Sequence, residues 1–109
     1  MNTNELIKII LQCSRIPEEI ALRMALIFTL YNNGYKTQHI ALAMNICRNS
    51  VTYACQKVRE LVDINDNIML DALSIVKEHS TELVPYFVKG DKTYQVKAYL
   101  EIDNVKLLN

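Results

Sequence analysis

One stretch of the chain constrains the fold most, because it carries the marks of both ends of a single helix. Pro17 suits a first helical turn, and the two glutamates after it lie where the helix dipole favours negative charge. Asn32, Asn33 and Gly34 end the helix, since Gly34 can take the left-handed conformation at a C-terminal cap. Between these ends, five apolar residues follow the spacing of an amphipathic helix: Ile20, Met24, Ile27, Phe28 and Tyr31.

Helical spacing also appears on both sides of this stretch. Residues from Asn4 to Cys13 predict a short helix that is capped by Asn2 or Thr3. Its apolar face comprises four residues: Leu6, Ile9, Ile10 and Cys13. Further along, a helix is expected from about Thr37 to Met44, with Thr37 as its N-cap.

Two more helices are predicted downstream. The first begins near Arg48, and its apolar face comprises Val51, Ala54, Cys55, Val58, Leu61 and Val62. The second runs from Asp66 to His79, with Asp63 or Asn65 as its cap. Its apolar face comprises Ile68, Ala72, Ile75, Val76 and His79.

The last part of the chain changes character. Pro85 marks a break, and residues 89–92 predict a turn. Beyond the turn, apolar and polar residues alternate with the period of two that is typical of a strand. The residues on the apolar side are Tyr94, Val96, Ala98, Leu100 and Ile102. We therefore expect a β-hairpin in which this strand pairs with residues 86–88, while a helix over residues 93–108 is the alternative.

The composition limits which classes of protein the chain can belong to. Its 109 residues suit one compact domain, and with 50% hydrophobic residues it can bury a core. No apolar run approaches the roughly 18–20 residues that span a bilayer, so we expect a soluble, cytoplasmic protein with no membrane partner. The two glycines are too few for the phosphate-binding loops of P-loop and Rossmann nucleotide sites.

Catalytic and metal chemistry are also poorly represented in the sequence. The three cysteines and two histidines lack the spacing of a zinc site, and buried, reduced thiols account for the cysteines. No nucleophile–base pair and no pair of catalytic carboxylates occurs at an interpretable spacing. We therefore predict no enzyme activity, no cofactor, no metal and no small-molecule ligand.

The segment from Thr37 to Gln56 meets the physical requirements of a helix-turn-helix unit one by one. Two helices that cross steeply need a small residue where they touch, and Ala41 stands there. The turn needs a residue that tolerates positive φ, and Asn45 is the most permissive choice after glycine. Apolar residues must fill the wedge beneath the turn, and six qualify: Ile40, Met44, Ile46, Val51, Ala54 and Cys55.

The same segment resembles known DNA-binding families. Its matches to the spacing of LuxR-type and sigma-region-4 helix-turn-helix motifs are Ile40, Ala41, Met44, Ile46, Ser50, Val51, Lys57 and Val58. Residues 51–58 are similar to the C-terminal recognition helix of the bacterial replication initiator DnaA, and the Trp-repressor-like superfamily contains a comparable motif in a helical context. The resemblance covers roughly residues 22–73 and implies an all-α DNA-binding domain whose second motif helix enters the major groove.

Three departures limit what the resemblance implies. The DnaA loop is one residue longer and its base-reading determinant is absent here, while Cys47 stands where these motifs commonly have a serine N-cap. The resemblance therefore implies the fold and a DNA-binding role, and not origin recognition or a particular target sequence.

The distribution of charge favours the same interpretation. The chain has 12 basic and 12 acidic residues, so it is not a wholly electrostatic binder. Between Glu19 and Glu60, however, there is no acidic residue, and five cations lie there: Arg23, Lys36, Arg48, Lys57 and Arg59. A neutral chain that concentrates its cations on one segment predicts a surface that faces phosphates.

Geometry then suggests a role for each residue of the motif. Residues at the start and along the exposed side of the second motif helix are predicted to read bases: Arg48, Asn49, Thr52, Tyr53 and Gln56. Residues at the edges are predicted to contact phosphates: Lys36, Thr37, Ser50, Lys57 and Arg59. Ser50 could instead stabilise the helix start, and Tyr53 could instead be a packed aromatic residue whose hydroxyl reaches the surface.

These observations predict a mainly α fold: a helical bundle over residues 1–80 with a central helix-turn-helix, followed by a hairpin extension over residues 81–109. The expected function is sequence-specific binding of double-stranded DNA, with the helix of residues 48–62 in the major groove. We expect a nucleoid-associated transcriptional regulator or replication accessory factor of a bacterium, phage or mobile element. We also expect a homodimer that is held in part by the C-terminal hairpin region. The alternative is a protein-interaction adaptor that keeps the helical scaffold without binding DNA.

Overall fold

The computed structural model describes residues 1–12 and 14–88, which fold into six helices. Their bounds are α1 Thr3–Leu11, α2 Pro17–Asn32, α3 Thr37–Met44, α4 Arg48–Asp63, α5 Asn67–Glu78 and α6 Ser80–Val88. No strand occurs within these residues. The prediction of a mainly helical fold is confirmed, and the five predicted helices begin and end within two residues of the expected positions.

Helix α2 lies at the centre and packs against α1, α3, α4 and α5. Its buried residues include two alanines, which let neighbouring helices approach closely: Ala21, Leu22, Ala25, Leu26, Ile27 and Leu30. The predicted apolar stripe of α2 is therefore wrong in part, because Ile20 and Tyr31 are exposed while Met24 and Phe28 are half-buried. Of the five residues in that stripe, Ile27 is the one that is buried in the core.

Three of the helices end in the same kind of turn. Gly34, Asn45 and Asn65 have positive φ values of 97°, 58° and 57°. In each turn, the next residue donates its backbone N–H to a carbonyl five residues back: Tyr35 to Leu30, Ile46 to Ala41, and Asp66 to Leu61. These hydrogen bonds satisfy carbonyls that lack a partner inside the helix, so the short turns fix the angles between α2, α3, α4 and α5.

The first helix begins with a capping box. The Asn2 side chain accepts a hydrogen bond from the Glu5 backbone N–H at 2.9 Å, and the Glu5 carboxylate accepts one from the Asn2 N–H at 3.1 Å. Asn2, and not Thr3, is therefore the cap.

The end of α1 is tied to α2 by Arg23. Its Nη1 atom donates to the backbone carbonyls of Ile10 and Gln12, at 3.4 Å in each case. One cation of the basic segment thus has a structural role.

The prediction for Cys13 lies outside the described residues.

The cap of α5 differs from the prediction. Asp66 is the N-cap, and its carboxylate accepts a hydrogen bond from the Met69 backbone N–H at 2.9 Å. Asp63 is the last residue of α4, and Asn65 occupies the left-handed turn after it. Ile64 and Asn65 form the turn after α4, so the N-cap position of α5 falls on the next residue, Asp66.

The predicted hairpin is wrong in the part that the structure describes. Residues 86–88, expected as a strand, belong to α6, and Pro85, expected as a break, lies inside that helix. A proline in a helix interior costs about 3 kcal/mol because it lacks an N–H and clashes with the preceding turn. Leu83, Phe87 and Val88 are buried, and each large apolar side chain contributes about 1.5–3 kcal/mol on full burial, which is enough to retain the helix. Residues 93–108, where a strand or a helix is expected, lie outside the described residues.

Helix α6 joins the same core as the helices before it, since it packs against α1, α3 and α5. At its contact with α1, the Thr3 hydroxyl donates a hydrogen bond to the Glu82 carboxylate and lies 3.0 Å from His79 Nδ1. The predicted division between residues 80 and 81 falls at the start of this helix. Among the helices that the structure describes, none is long and apolar enough to cross a membrane.

Candidate nucleic-acid interface

Helices α3 and α4 pack together and are joined by a three-residue turn. Asn45, the first residue of the turn, takes the left-handed conformation that the sequence predicts. Ala41 is buried, and its carbonyl accepts the N–H of Ile46 at 2.9 Å, which closes the turn. Thr37 is the first residue of α3, and the N-cap position predicted for it belongs to Lys36.

The apolar residues beneath the turn support both helices from inside. Five of the six predicted residues are buried and Ile46 is half-buried; the five are Ile40, Met44, Val51, Ala54 and Cys55. Burial of the Cys55 thiol raises its pKa, while the nearby Arg59 guanidinium acts in the opposite direction. The buried side of α4 is therefore fixed against the core, and this leaves its opposite side to solvent.

All five residues that are predicted to read bases are exposed on α4: Arg48, Asn49, Thr52, Tyr53 and Gln56. Since successive helical residues turn by about 100°, the five fall within a sector of about 140° that contains none of the buried residues. Tyr53 is 57% exposed, so most of its ring is open to solvent, unlike a packed aromatic residue. The structure brings this predicted set together on one surface, which we call the outward face of α4.

The outward face changes character toward the end of the helix. Gln56 Nε2 donates a hydrogen bond to the Glu60 carboxylate at 3.3 Å, and Asp63 follows on the same side. Along this side of the helix, polar and basic groups thus precede the carboxylates of Glu60 and Asp63. Gln56 stands at the boundary and already has a partner.

The start of α4 is built around a thiol and a hydroxyl. Cys47 is the exposed N-cap residue, and its Sγ lies 3.2 Å from the Ser50 Oγ. The Ser50 hydroxyl stabilises the thiolate and lowers the pKa of Cys47, and the backbone N–H groups of Ser50 and Asn49 act in the same direction. The Ser50 hydroxyl thus contacts the side chain of the N-cap residue, and a phosphate contact by Ser50 stays a prediction.

The residues predicted to contact phosphates lie on two sides of α4. Lys57 and Arg59 are about 160° apart around the helix axis, so they lie at opposite edges of the outward face. Ser50 lies on the side of Lys57. On the other side, Thr37 and Arg59 line a small cavity of about 90 Å³ between α2, α3 and α4. Lys36 is exposed beside Thr37, directly before α3.

Arg59 has partners that the sequence did not predict. Its guanidinium carbon lies 5.8 Å from the centroid of the Phe28 ring and 6.0 Å from that of Tyr31. Both rings belong to α2, so Arg59 rests on the neighbouring helix and contributes to the packing of α2 against α4.

A groove of about 500 Å³ adjoins the outward face and was missed by sequence reasoning. Its floor is largely apolar and its rim is charged; the lining comprises Gln12, Ser14, Arg15, Glu19, Ile20, Arg23, Met24, Ile27, Ile46, Ser50, Tyr53 and Ala54. Ile20 and Met24 belong to the stripe that was expected to face the core. The apolar spacing on α2 was the available signal, but it could not show that this stripe borders an open groove.

In the part of the chain that the structure describes, no group of three or more histidine, cysteine or acidic side chains could hold a metal ion. Comparisons with protein-family models, with curated proteins and with solved structures found no match to this chain.

Proposed function

We propose that this chain is a sequence-specific DNA-binding protein in which α3 and α4 act as a helix-turn-helix and α4 enters the major groove of double-stranded DNA. The outward face of α4 carries the proposal, because its five exposed side chains can pair with base edges. Arg48 can bridge O6 and N7 of guanine, Asn49 and Gln56 can pair with N6 and N7 of adenine, and the Thr52 methyl suits thymine. An adenine contact by Gln56 would replace its hydrogen bond to Glu60.

The dimensions and charges around α4 support this proposal. An α-helix with its side chains is about 10–12 Å across, and the major groove is about 12 Å wide. A helix in that groove has a phosphate backbone on each side, and α4 has a cation at each edge, Lys57 and Arg59. The absence of acidic residues between Glu19 and Glu60 removes the charges that would repel those backbones.

The biological role that fits such a domain is a small transcriptional regulator or replication accessory factor of a bacterium, phage or mobile element, associated with the nucleoid. One copy of α4 can contact only a few base pairs. We therefore also propose a homodimer that binds two half-sites about 34 Å apart.

A protein-interaction adaptor is the second candidate function. Two exposed apolar side chains favour it, namely Leu42 on α3, which is 69% exposed, and Ile64 after α4, which is 70% exposed. Such side chains suit a protein surface better than a phosphate backbone. Under this alternative, the outward face of α4 would be an ordinary solvated surface.

Binding to mixed-sequence duplex DNA across a salt series separates the two functions. The DNA proposal predicts a linear decrease of log K with log salt and a slope of a few units, because each neutralised phosphate adds about −0.9. The adaptor alternative predicts no binding at low salt or a slope near zero. Fluorescence anisotropy of a labelled duplex gives both quantities from one titration series.

Variants of the outward face test which residues read sequence. On the preferred duplex obtained by selection, Arg48→Ala and Gln56→Ala should each cost roughly 1–3 kcal/mol and reduce discrimination at one base position. Lys57→Ala is the matched control, and it should weaken binding to preferred and random duplexes by the same factor. Equal losses by all three variants on both duplexes would refute the assignment of base readers.

A further inference from the structure

The groove beside α4 has a wall that lies outside the α3–α4 unit. The first half of α2 forms this wall together with Ser14 and Arg15 before it, and Ser50 and Tyr53 of α4 line the same groove. Arg15 is exposed. Within the described residues it forms no ion pair, so its guanidinium is available at the mouth of the groove.

The charged groups of the groove differ in what they can do. Arg23 already donates from Nη1 to two carbonyls at the end of α1, so it acts first as a tie between helices. Glu19 lies in the same lining and opposes an anion. Lys57 follows Tyr53 by one helical turn on the same side of α4. Within the lining two arginines outnumber the one carboxylate, so the rim attracts a negative ligand.

We infer that this groove receives a backbone phosphate of duplex DNA and that Arg15 binds it beside Ser50 and Lys57. The inference rests on the proposed function, because α4 must lie in the major groove for a backbone to pass along this side. Lys36, Thr37 and Arg59 are at the opposite edge of α4. Each of the two DNA backbones that border the major groove would therefore meet a cationic surface. Ile20 and Met24 in the lining offer apolar surface to the deoxyribose carbons next to that phosphate.

Two substitutions in the groove have opposite expected effects. Arg15→Ala removes one phosphate contact, so the slope of log K against log salt should decrease in magnitude by about 0.9 on a random 20-base-pair duplex. Glu19→Gln removes the repelling charge, so its affinity at low salt should exceed that of the original chain. Lys77→Ala on α5 is the control, since it removes one exposed cation outside the groove lining and should leave the slope unchanged.

The outcomes separate this inference from the proposed function. If the unmodified chain shows no salt-dependent DNA binding, the proposed function fails and the inference fails with it. If the unmodified chain binds but Arg15→Ala has the slope of Lys77→Ala, only the inference is overturned. Circular dichroism of each variant establishes that the helices are intact before binding is measured.

A polyglutamate peptide tests whether the groove prefers an acidic protein partner. The inference predicts that the duplex binds with dependence on Arg15 and that the peptide, at equal charge, competes only weakly. Peptide binding that is lost in Arg15→Ala, together with duplex binding that is not, would overturn the inference in favour of an acidic polypeptide.

Discussion

The guanidinium of Arg59 on α4 rests on the ring of Phe28 on α2, with 5.8 Å between the guanidinium carbon and the ring centroid. Tyr31, one turn further along α2, lies at 6.0 Å. A cation over an aromatic face is attracted by the ring quadrupole and contributes about 0.5–1 kcal/mol at an exposed position. Arg59, which was expected only to contact a DNA phosphate, therefore also joins α2 and α4.

This contact predicts different stability effects for the two cations at the edges of α4. Arg59→Ala should lower the free energy of unfolding by about 0.5–1 kcal/mol, because both ring contacts are lost. Lys57→Ala is the matched control, since no ring contact of Lys57 occurs among the described residues, and its effect should stay within about 0.5 kcal/mol. Urea unfolding followed by circular dichroism measures both values. Equal stabilities of the two variants would show that the ring contacts contribute nothing.

The thiol at the start of α4 should react at lower pH than the buried one. The Ser50 hydroxyl lowers the pKa of Cys47, so the thiolate fraction of Cys47 below its ordinary pKa is larger than in the unfolded chain. Burial raises the pKa of Cys55, so its thiolate forms only at higher pH. Alkylation by iodoacetamide at a series of pH values, read by peptide mass spectrometry, should show Cys47 reacting at lower pH than Cys55.

Ser50→Ala provides the control for this thiol. Without the hydroxyl, the pH profile of Cys47 alkylation should move to higher pH, toward that of the urea-unfolded chain. A Cys47 profile that matches the unfolded chain in the original protein would contradict the prediction.

The left-handed turn before α4 predicts a position-specific cost of alanine. Asn45 has φ of 58°, a conformation that costs an ordinary L-residue about 1–2 kcal/mol, so Asn45→Ala should destabilise the fold by about that amount. Asn33→Ala is the matched control, because Asn33 has φ of −80° and the same substitution there should be nearly neutral. Thermal unfolding compares the two, and equal melting temperatures would contradict the strain argument.

The proposed homodimer can be tested by removing the residues beyond α6. Because Phe87 and Val88 are buried in the core, the shortened chain must end at Val88 and not earlier. Light scattering at micromolar concentration should give a dimer for the full chain and a monomer for the shortened one. A monomeric full chain excludes the dimer, and a dimeric shortened chain locates the interface among the helices.

Most helices could be predicted because their signals are local. Pro17 and Gly34 mark the ends of α2, and Asn45 marks the turn, through conformational preferences that neighbours hardly change. The buried side of α2 could not be predicted in the same way, since it depends on which helices surround it. Helix α6 was missed because Pro85 and the residues after it favour a break and a strand locally, whereas burial of Phe87 decides the outcome.

In the candidate site, too, the features that depend on local spacing could be predicted, and those that depend on contacts between helices could not. The outward face of α4 follows from about 100° of rotation per residue, so its five members could be chosen from spacing alone. The contact between Arg59 and Phe28 and the groove that Arg15 and Ser50 both line bring together residues that are more than thirty positions apart. Spacing within one helix contains no information about such pairs.

The hydrogen bond between Gln56 and Glu60 has a consequence for the length of DNA that one copy of the chain could recognise. From Glu60 onward the outward face is acidic and would be repelled by phosphates, so only residues 48–56 suit the major groove. At 1.5 Å per residue those nine residues extend about 13 Å, and base pairs rise by about 3.4 Å, so the usable length corresponds to about four base pairs. A recognition sequence longer than this would have to consist of two short blocks, each read by a separate copy of α4.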